Sequence, residues 1–133
     1  MKIGIAGLGN VGAGLVERLQ NQSELRLKDE IIITGISARN RNRDRGVSLS
    51  DYAWYDDPVA LATSDQTDVF VELIGGSDGP AKLAVEAALQ LGKPVVTANK
   101  ALIAEHGAAL AELARTSGSR LFYEAAVAGA IPI

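Results

Sequence analysis

The sequence predicts an α/β fold, a doubly wound parallel sheet with helices on both faces in a three-layer α/β/α arrangement. Short apolar runs alternate with helical segments along the chain, which is typical of successive β-α-β crossovers. A glycine-rich turn follows the first apolar run directly. Composition agrees, because 47% of residues are hydrophobic and only 5% aromatic. Small side chains let helices pack closely on a sheet. A length of 133 residues is typical of one domain.

Five strands and four helices are predicted in alternation. The strands cover residues 2–6, 30–37, 68–74, 94–97 and 120–124, and the helices residues 11–22, 58–63, 79–91 and 101–116. Pro58 suits the first position of the second helix. We expect Ser77 or Asp78 to cap the third helix and Asn99 to cap the fourth. Trp54 and Tyr55 are expected in a loop, as packing residues.

Bulk properties exclude several classes of function. A net charge of −3 and a pI near 5.1 do not favour nucleic-acid binding. The chain has no cysteine, so disulfide and thiolate chemistry are excluded. No run approaches the roughly 18 apolar residues of a membrane span, and the N-terminal residues do not resemble a secretory signal. We therefore expect a cytoplasmic protein with no membrane partner. Residues 125–133 stay apolar, so we expect the chain to stop at a junction within a larger fold.

Residues 7–12 carry the pattern Gly-x-Gly-x-x-Gly between a predicted strand and a predicted helix. In that context Gly7 permits the tight turn and Gly9 lets backbone approach a pyrophosphate, while Gly12 allows close helix–strand packing. Asn10 and Val11 lie at the helix start, where free N–H groups and the helix dipole favour an anion. The pattern therefore predicts a Rossmann-type domain that binds NAD or NADP through this turn.

The loop after the second strand is basic. It contains four arginines, Arg39, Arg41, Arg43 and Arg45, and no acid lies between residues 34 and 42. An NAD site usually has an acid there for the ribose hydroxyls, whereas a 2′-phosphate suits guanidinium groups. We therefore favour NADP, with Arg39 as the main contact. Two alternatives stay open: NAD bound through backbone and Ser37, and a solvated basic loop without a ligand.

Further candidates follow the other strands. Ligands of doubly wound folds lie beyond the carboxyl ends of strands, so we expect Gly75, Gly76 and Thr97 to contact the cofactor. Lys100, at the next helix start, is aimed at the cofactor edge, where an ammonium would polarise a carbonyl or hydroxyl during hydride transfer. A surface lysine is the equal alternative. Glu72 lies in an apolar strand, where an unpaired carboxylate is costly, so it should bond backbone or face solvent.

Three longer stretches closely resemble homoserine dehydrogenase: residues 71–76, 96–104 and 123–133. The resemblance covers the whole chain in order. Members of that family are much longer and interconvert L-homoserine and L-aspartate 4-semialdehyde with NAD(P), a step toward threonine, isoleucine and methionine. It implies that residues 1–133 form the nucleotide-binding domain of an enzyme that is a homo-oligomer, without its substrate domain. Such a chain should bind cofactor but not turn over substrate.

The resemblance also implies roles for individual residues. Lys100 matches a lysine implicated in catalysis near the nicotinamide and substrate, and Arg39 matches a position that often meets the NADP phosphate. Four residues match a site for a monovalent cation such as Na⁺: the carboxylate of Glu124 and the backbone carbonyls of Val127, Gly129 and Ile131. The family usually has two glycines where this chain has Gly129-Ala130.

Two other functions stay open. A nucleotide-sensing regulatory module would keep the glycine turn but would not need a lysine directed at a substrate. An oxidoreductase resembling aspartate dehydrogenase would share the architecture. Residues 97–100 and 123–129 argue against the second alternative, because they match homoserine dehydrogenase instead.

Overall fold

The computed structural model describes residues 1–21 and 31–123. The strands are β1 (Lys2–Ala6), β2 (Ile32–Ser37), β3 (Ala53–Tyr55), β4 (Val69–Glu72), β5 (Val95–Thr97) and β6 (Leu121–Tyr123). The helices are α1 (Asn10–Gln20), α2 (Pro58–Thr63), α3 (Pro80–Gln90) and α4 (Lys100–Thr116). None of these helices is long and apolar enough to cross a membrane.

The strands form one six-stranded sheet in the order β3-β2-β1-β4-β5-β6. Every neighbouring pair is parallel, so strands that follow each other along the chain are joined by crossover connections. The chain winds outward in one direction from β1 and in the other from β4. The predicted doubly wound, Rossmann-type sheet is therefore confirmed, and its topological switch point lies between β1 and β4.

Apolar side chains form one core on each face of the sheet. Adjacent residues of a strand point to opposite faces, so Phe70 and Val71 belong to different cores. Helix α1 packs Val16 and Leu19 into the core that holds Val71. Helices α2, α3 and α4 supply the other core, through residues such as Leu61, Leu89 and Leu102. The expected three-layer α/β/α arrangement results.

One strand was missed by the sequence prediction. Residues 53–55, expected in a loop, form β3 and pair with residues 35–37 of β2. A strand of three residues is too short to show an alternating pattern, so only the sheet edge beside β2 reveals it. The packing role predicted for Trp54 and Tyr55 is confirmed, because each packs against one of the two cores.

The helix starts show which cap predictions hold. Pro58 is the first residue of α2 as predicted, and the Asp57 side chain accepts from Val59 N. Asn99 caps α4, since its Oδ1 accepts from Leu102 N at 3.0 Å. The predicted cap of α3 was wrong. Gly79, not Ser77 or Asp78, is the N-cap residue. Its φ of 81° is a conformation that glycine adopts readily.

Candidate functional site

A cleft of about 750 Å³ opens at the carboxyl edge of the sheet, over the switch point between β1 and β4. Ligands of doubly wound folds bind at this position. The walls come from the ends of β1, β2 and β4 and from the starts of α2 and α3. Predicted site residues that line the cleft are Gly7, Gly9, Arg39, Gly75 and Gly76.

The glycine turn between β1 and α1 leaves no room for side chains at two positions. Gly7 has φ of +97°, and a Cβ there would lie 2.4 Å from the Leu73 backbone at the end of β4. A Cβ on Gly12 would lie 1.9 Å from the carbonyl oxygen of Gly7. At Gly9, in contrast, a Cβ would meet nothing within 4 Å. Gly7 and Gly12 are therefore required by packing, while Gly9 borders open space.

Helix α1 begins at this turn without a side-chain cap. Its N-cap residue is Gly9, and its first turn contains no acid. The first helical bond runs from Ala13 N to Gly9 O at 2.9 Å. The N–H groups of Asn10, Val11 and Gly12 therefore have no acceptor among the residues that the structure describes. Unpaired amides and the positive end of the helix dipole together favour an anion at this point.

Residues 38–46, called the arginine loop below, form the wall beside β2. Arg39, Arg43 and Arg45 line the cleft, and Arg41 instead lies over the Trp54 ring, 5.9 Å from its centroid. The Arg39 side chain is exposed and has no hydrogen bond or ion pair within the described part of the chain. It is thus available to a ligand. Asp56 also lines the cleft, and Trp54 Nε1 donates to its Oδ1 at 2.9 Å.

The wall beside β4 is organised by a buried carboxylate. Glu72 is fully buried. Its Oε2 accepts from Ile74 N at 2.8 Å and from Gly75 N at 3.2 Å, while its Oε1 accepts from the Thr97 hydroxyl at 2.6 Å. The expectation that Glu72 bonds backbone is therefore confirmed. The carboxylate fixes the start of the loop that carries Gly75 and Gly76 into the cleft.

Asn99 continues this network to the start of α4. Thr97 Oγ1 accepts from Asn99 N at 3.0 Å, and the Asn99 amide donates to Gly76 O at 2.6 Å. The two strand ends β4 and β5 are thus joined by side chains that are themselves buried. We call Glu72, Thr97 and Asn99 the carboxylate network. The sequence indicates each of these residues but not their connection, because the pairing of β4 with β5 brings together residues 25 positions apart.

Lys100 follows Asn99 as the first residue of α4 and is exposed. It lies at the carboxyl edge, as predicted, but not among the residues that line the cleft. Lys93 at the opposite edge is different, because its ammonium donates to Ser64 O. Burial lowers the pKa of Lys93, and Asp65 and Asp68 partly offset that effect. Within the described part of the chain the Lys100 ammonium has no hydrogen bond or ion pair, which distinguishes it from Lys93.

His106 and Thr97 do not line the cleft, and the predicted cation ligands lie beyond the described residues. His106 Nε2 lies 3.0 Å from Asp78 Oδ1, which joins α4 to the segment before α3. Thr97 is buried, with its hydroxyl bonded to Glu72. The residues assigned to a cation by resemblance, Glu124, Val127, Gly129 and Ile131, lie outside the described residues. Their role as ligands stays a prediction.

Comparison with known proteins decides the family. The family model "Homoserine dehydrogenase, NAD binding domain" matches residues 7–124, from the glycine turn to the end of β6 and the residue after it. The chain belongs to the homoserine dehydrogenase family. The cleft therefore belongs to a domain of the NAD-binding type. The family predicted from the sequence is confirmed.

Individual relatives agree with this family. The chain is 41% identical over 136 residues to homoserine dehydrogenase of Neisseria gonorrhoeae, which covers 100% of this chain and 31% of the relative. It is 39% identical to the Mycobacterium bovis enzyme over 98% of this chain and 30% of that one. The crystal structure of S. aureus homoserine dehydrogenase at pH 7.5 superimposes with a TM-score of 0.83 and 33% identity, covering 94% of this chain and 32% of that chain. The chain thus spans about 30% of the length of its curated relatives.

Proposed function

We propose that this homoserine dehydrogenase domain binds NADP(H) in the cleft over the switch point. The pyrophosphate lies at the glycine turn, Arg39 contacts the adenosine 2′-phosphate, and the nicotinamide extends toward Gly75, Gly76 and the start of α4. One observation supports the proposal. The same cleft has an uncapped helix start on one side and, on the other, an arginine side chain that has no hydrogen bond or ion pair with the described residues.

The chain's own groups fit a phosphorylated dinucleotide at both ends of that pairing. Unpaired amides of residues 10–12 would donate to pyrophosphate oxygens, and the open space at Gly9 would admit them. The exposed Arg39 guanidinium would form a fork with a dianionic 2′-phosphate. NADP is favoured over NAD because residues 35–43 contain no acid to hold a ribose 2′-hydroxyl.

The function proposed for the whole protein is the interconversion of L-homoserine and L-aspartate 4-semialdehyde. When bound, the cofactor supplies or accepts the hydride. Lys100 is proposed to orient and polarise the reacting oxygen, since its exposed ammonium leaves the carboxyl edge directly after Asn99. Catalysis needs a substrate held against the nicotinamide in a reactive geometry, and this chain spans about 30% of its relatives. We therefore propose that residues 1–133 bind cofactor without turning over homoserine. Steady turnover by the purified chain in a spectrophotometric assay would contradict this proposal.

Calorimetry with NADPH and NADH tests the cofactor assignment. The chain should bind NADPH more tightly than NADH, and Arg39→Ala should weaken NADPH binding about tenfold or more, the typical effect of losing a hydrogen bond between charged groups. NADH affinity should change little. Arg120→Ala is the matched control, because this exposed arginine precedes β6 at the opposite edge of the sheet. Equal losses for both cofactors in Arg39→Ala, or an equal loss in Arg120→Ala, would contradict the assignment.

A further inference from the structure

We propose that Arg45 is a positioning residue for cofactor specificity: it braces the arginine loop so that Arg39 and Arg43 face a 2′-phosphate, without itself being the phosphate ligand. The inference rests on the proposed binding of NADP(H). It assigns different tasks to arginines that the sequence presents as equivalent.

The guanidinium of Arg45 is bonded to its own loop. Its terminal nitrogens donate to Arg43 O at 3.1 Å, to Arg39 O at 2.5 Å and to Asn40 O at 3.0 Å. Its Nε is buried and has no partner in the described part of the chain. Two guanidinium nitrogens thus bond three carbonyl groups, and the third nitrogen, Nε, is buried. The hydrogen-bonding groups of Arg45 are therefore directed at the loop itself. The Arg39 side chain makes no such contacts with the residues that the structure describes.

Trp54 joins the braced loop to the sheet edge. The Arg45 guanidinium carbon lies 5.6 Å from the Trp54 ring centroid, and Trp54 belongs to β3. The indole N–H donates to Asp56 Oδ1, so the ring has a fixed orientation. A guanidinium that stacks on an aromatic face and also bonds carbonyls is restricted in both position and tilt. Arg45 therefore fixes the arginine loop relative to β3.

The loop conformation depends on this brace. Asn40 has φ of 53°, a left-handed conformation uncommon outside glycine, and Arg43 N donates to Asn40 O across the resulting turn. The turn brings the carbonyl oxygens of residues 39, 40 and 43 around one guanidinium. Without Arg45 the carbonyl oxygens of Arg39 and Arg43 would lose this donor, while Asn40 O would keep the bond from Arg43 N. The partial negative charge of these oxygens would then oppose a dianionic phosphate nearby. Arg45 neutralises them while it fixes the loop.

Three variants of the 133-residue chain separate bracing from charge. Arg45→Met removes the brace, Arg45→Lys keeps the charge but not the planar fork, and Arg41→Met is the matched control. Arg41 belongs to the same loop and also lies over Trp54, but no hydrogen bond from its side chain occurs within the described residues. Each variant is titrated with NADPH and NADH, with Arg39→Ala and wild type alongside. Circular dichroism checks folding, and emission of Trp54, the only tryptophan, reports the loop.

Arg45→Met should weaken NADPH binding about tenfold, as expected for losing hydrogen bonds from a charged donor, with NADH changed less than about twofold. Arg45→Lys should behave similarly, because one ammonium does not replace a planar fork. Arg41→Met should cost NADPH less than about threefold, since exposed charge is screened. Trp54 emission should shift in both Arg45 variants before cofactor is added.

Four outcomes would overturn the inference. Equal NADPH losses in Arg45→Met and Arg41→Met would show that only net charge matters. If Arg45→Met keeps the wild-type preference for NADPH over NADH while Arg39→Ala loses it, the bracing role of Arg45 is refuted. The NADP proposal would then still stand. Wild type without a preference for NADPH would instead contradict the NADP proposal itself. If Arg45→Met does not fold, Arg45→Lys decides, and wild-type affinities for both cofactors in that variant would refute the brace.

Discussion

The two walls of the cleft are built on different physical principles. The arginine loop, residues 38–46, is mostly exposed and is held by contacts of one guanidinium with backbone carbonyls and an indole ring. The carboxylate network is buried and is held by short hydrogen bonds among Glu72, Thr97, Asn99 and the neighbouring backbone. Solvent and salt screen the charges on the exposed wall, so its interactions depend on ionic strength. On the buried wall, loss of a hydrogen bond directly lowers the free energy of unfolding. The first wall is suited to selecting a ligand, and the second to holding a geometry.

The largest effect is expected from breaking the buried wall. Glu72→Ala leaves Ile74 N, Gly75 N and the Thr97 hydroxyl without their acceptor. Thr97 is buried, while Ile74 and Gly75 are at least partly exposed to water. Because an unsatisfied buried group costs about 1–3 kcal/mol, the free energy of unfolding should fall by roughly 3 kcal/mol. Urea unfolding followed by circular dichroism measures this loss.

Glu72→Gln is the near-isosteric control for that experiment. Its amide has one oxygen, so either Thr97 or the Ile74 and Gly75 amides would face an NH₂ group. We expect an intermediate loss, about 1–2 kcal/mol, since part of the hydrogen bonding survives. An alanine variant as stable as wild type would show that the network does not stabilise this wall.

Two glycines of the same turn should respond oppositely. Gly7→Ala combines φ of +97° with a Cβ 2.4 Å from the Leu73 backbone, so it should destabilise the fold by about 2–4 kcal/mol. Gly9→Ala meets no atom within 4 Å and should cost only about 1 kcal/mol or less, the effect of alanine at the N-cap of α1. Its methyl group would instead narrow the approach of a pyrophosphate, so NADPH affinity should fall. Thermal unfolding and calorimetry on both variants test these expectations. Wild-type NADPH affinity in a folded Gly9→Ala variant would contradict the placement of the pyrophosphate at this turn.

Salt should act on one wall only. Raising ionic strength shortens the Debye length from about 30 Å at 0.01 M to about 3 Å at 1 M. NADPH affinity should therefore fall more steeply with salt than NADH affinity, because the exposed arginine loop meets an additional dianion. The destabilisation caused by Glu72→Gln should be nearly independent of salt, since those groups are buried. Parallel salt slopes for the two cofactors would contradict an electrostatic choice between them.

The smallest effect is expected from an ion pair that belongs to neither wall. Arg115 donates to Glu112 on the exposed surface of α4, which lowers the pKa of Glu112. A folded-state pKa below the unfolded value stabilises the protein above the unfolded pKa, and that contribution is lost as pH falls through the folded pKa. Glu112→Gln should thus lower the melting temperature only slightly at neutral pH and not at all in strong acid. A large change at neutral pH would contradict this assignment.

Sequence patterns predicted most of the fold but only part of the site. Continuous apolar runs and a glycine turn identify β1, β2, β4 and α1, because those signals are local. The edge strand β3 depends on pairing with β2, and three residues carry no period of their own. The Gly79 cap of α3 likewise depends on a φ of 81°, which neighbouring Ser77 and Asp78 do not reveal.

Site residues were predicted singly, whereas their relations required the structure. Gly7 and Arg39 could be assigned from position along the chain, because each follows a strand. The division of labour within the arginine loop could not, since Arg39 and Arg45 have the same chemistry in the sequence. Only the contacts with loop carbonyls and Trp54 separate them. The link from Glu72 to Thr97 arises in the same way, from the pairing of β4 with β5.

An amide ¹H–¹⁵N NMR titration of the 133-residue chain with NADPH would locate the bound cofactor without assuming any residue's role. NADPH should cause the largest shifts at the glycine turn, residues 7–12, in the arginine loop, residues 38–46, and at Gly75 and Gly76. NADH should reproduce the first and third sets but shift the arginine loop less. Shifts concentrated in the groove between Leu19 and Tyr52 at the other end of α1, or an arginine loop that responds equally to both cofactors, would contradict the proposed binding of NADP(H).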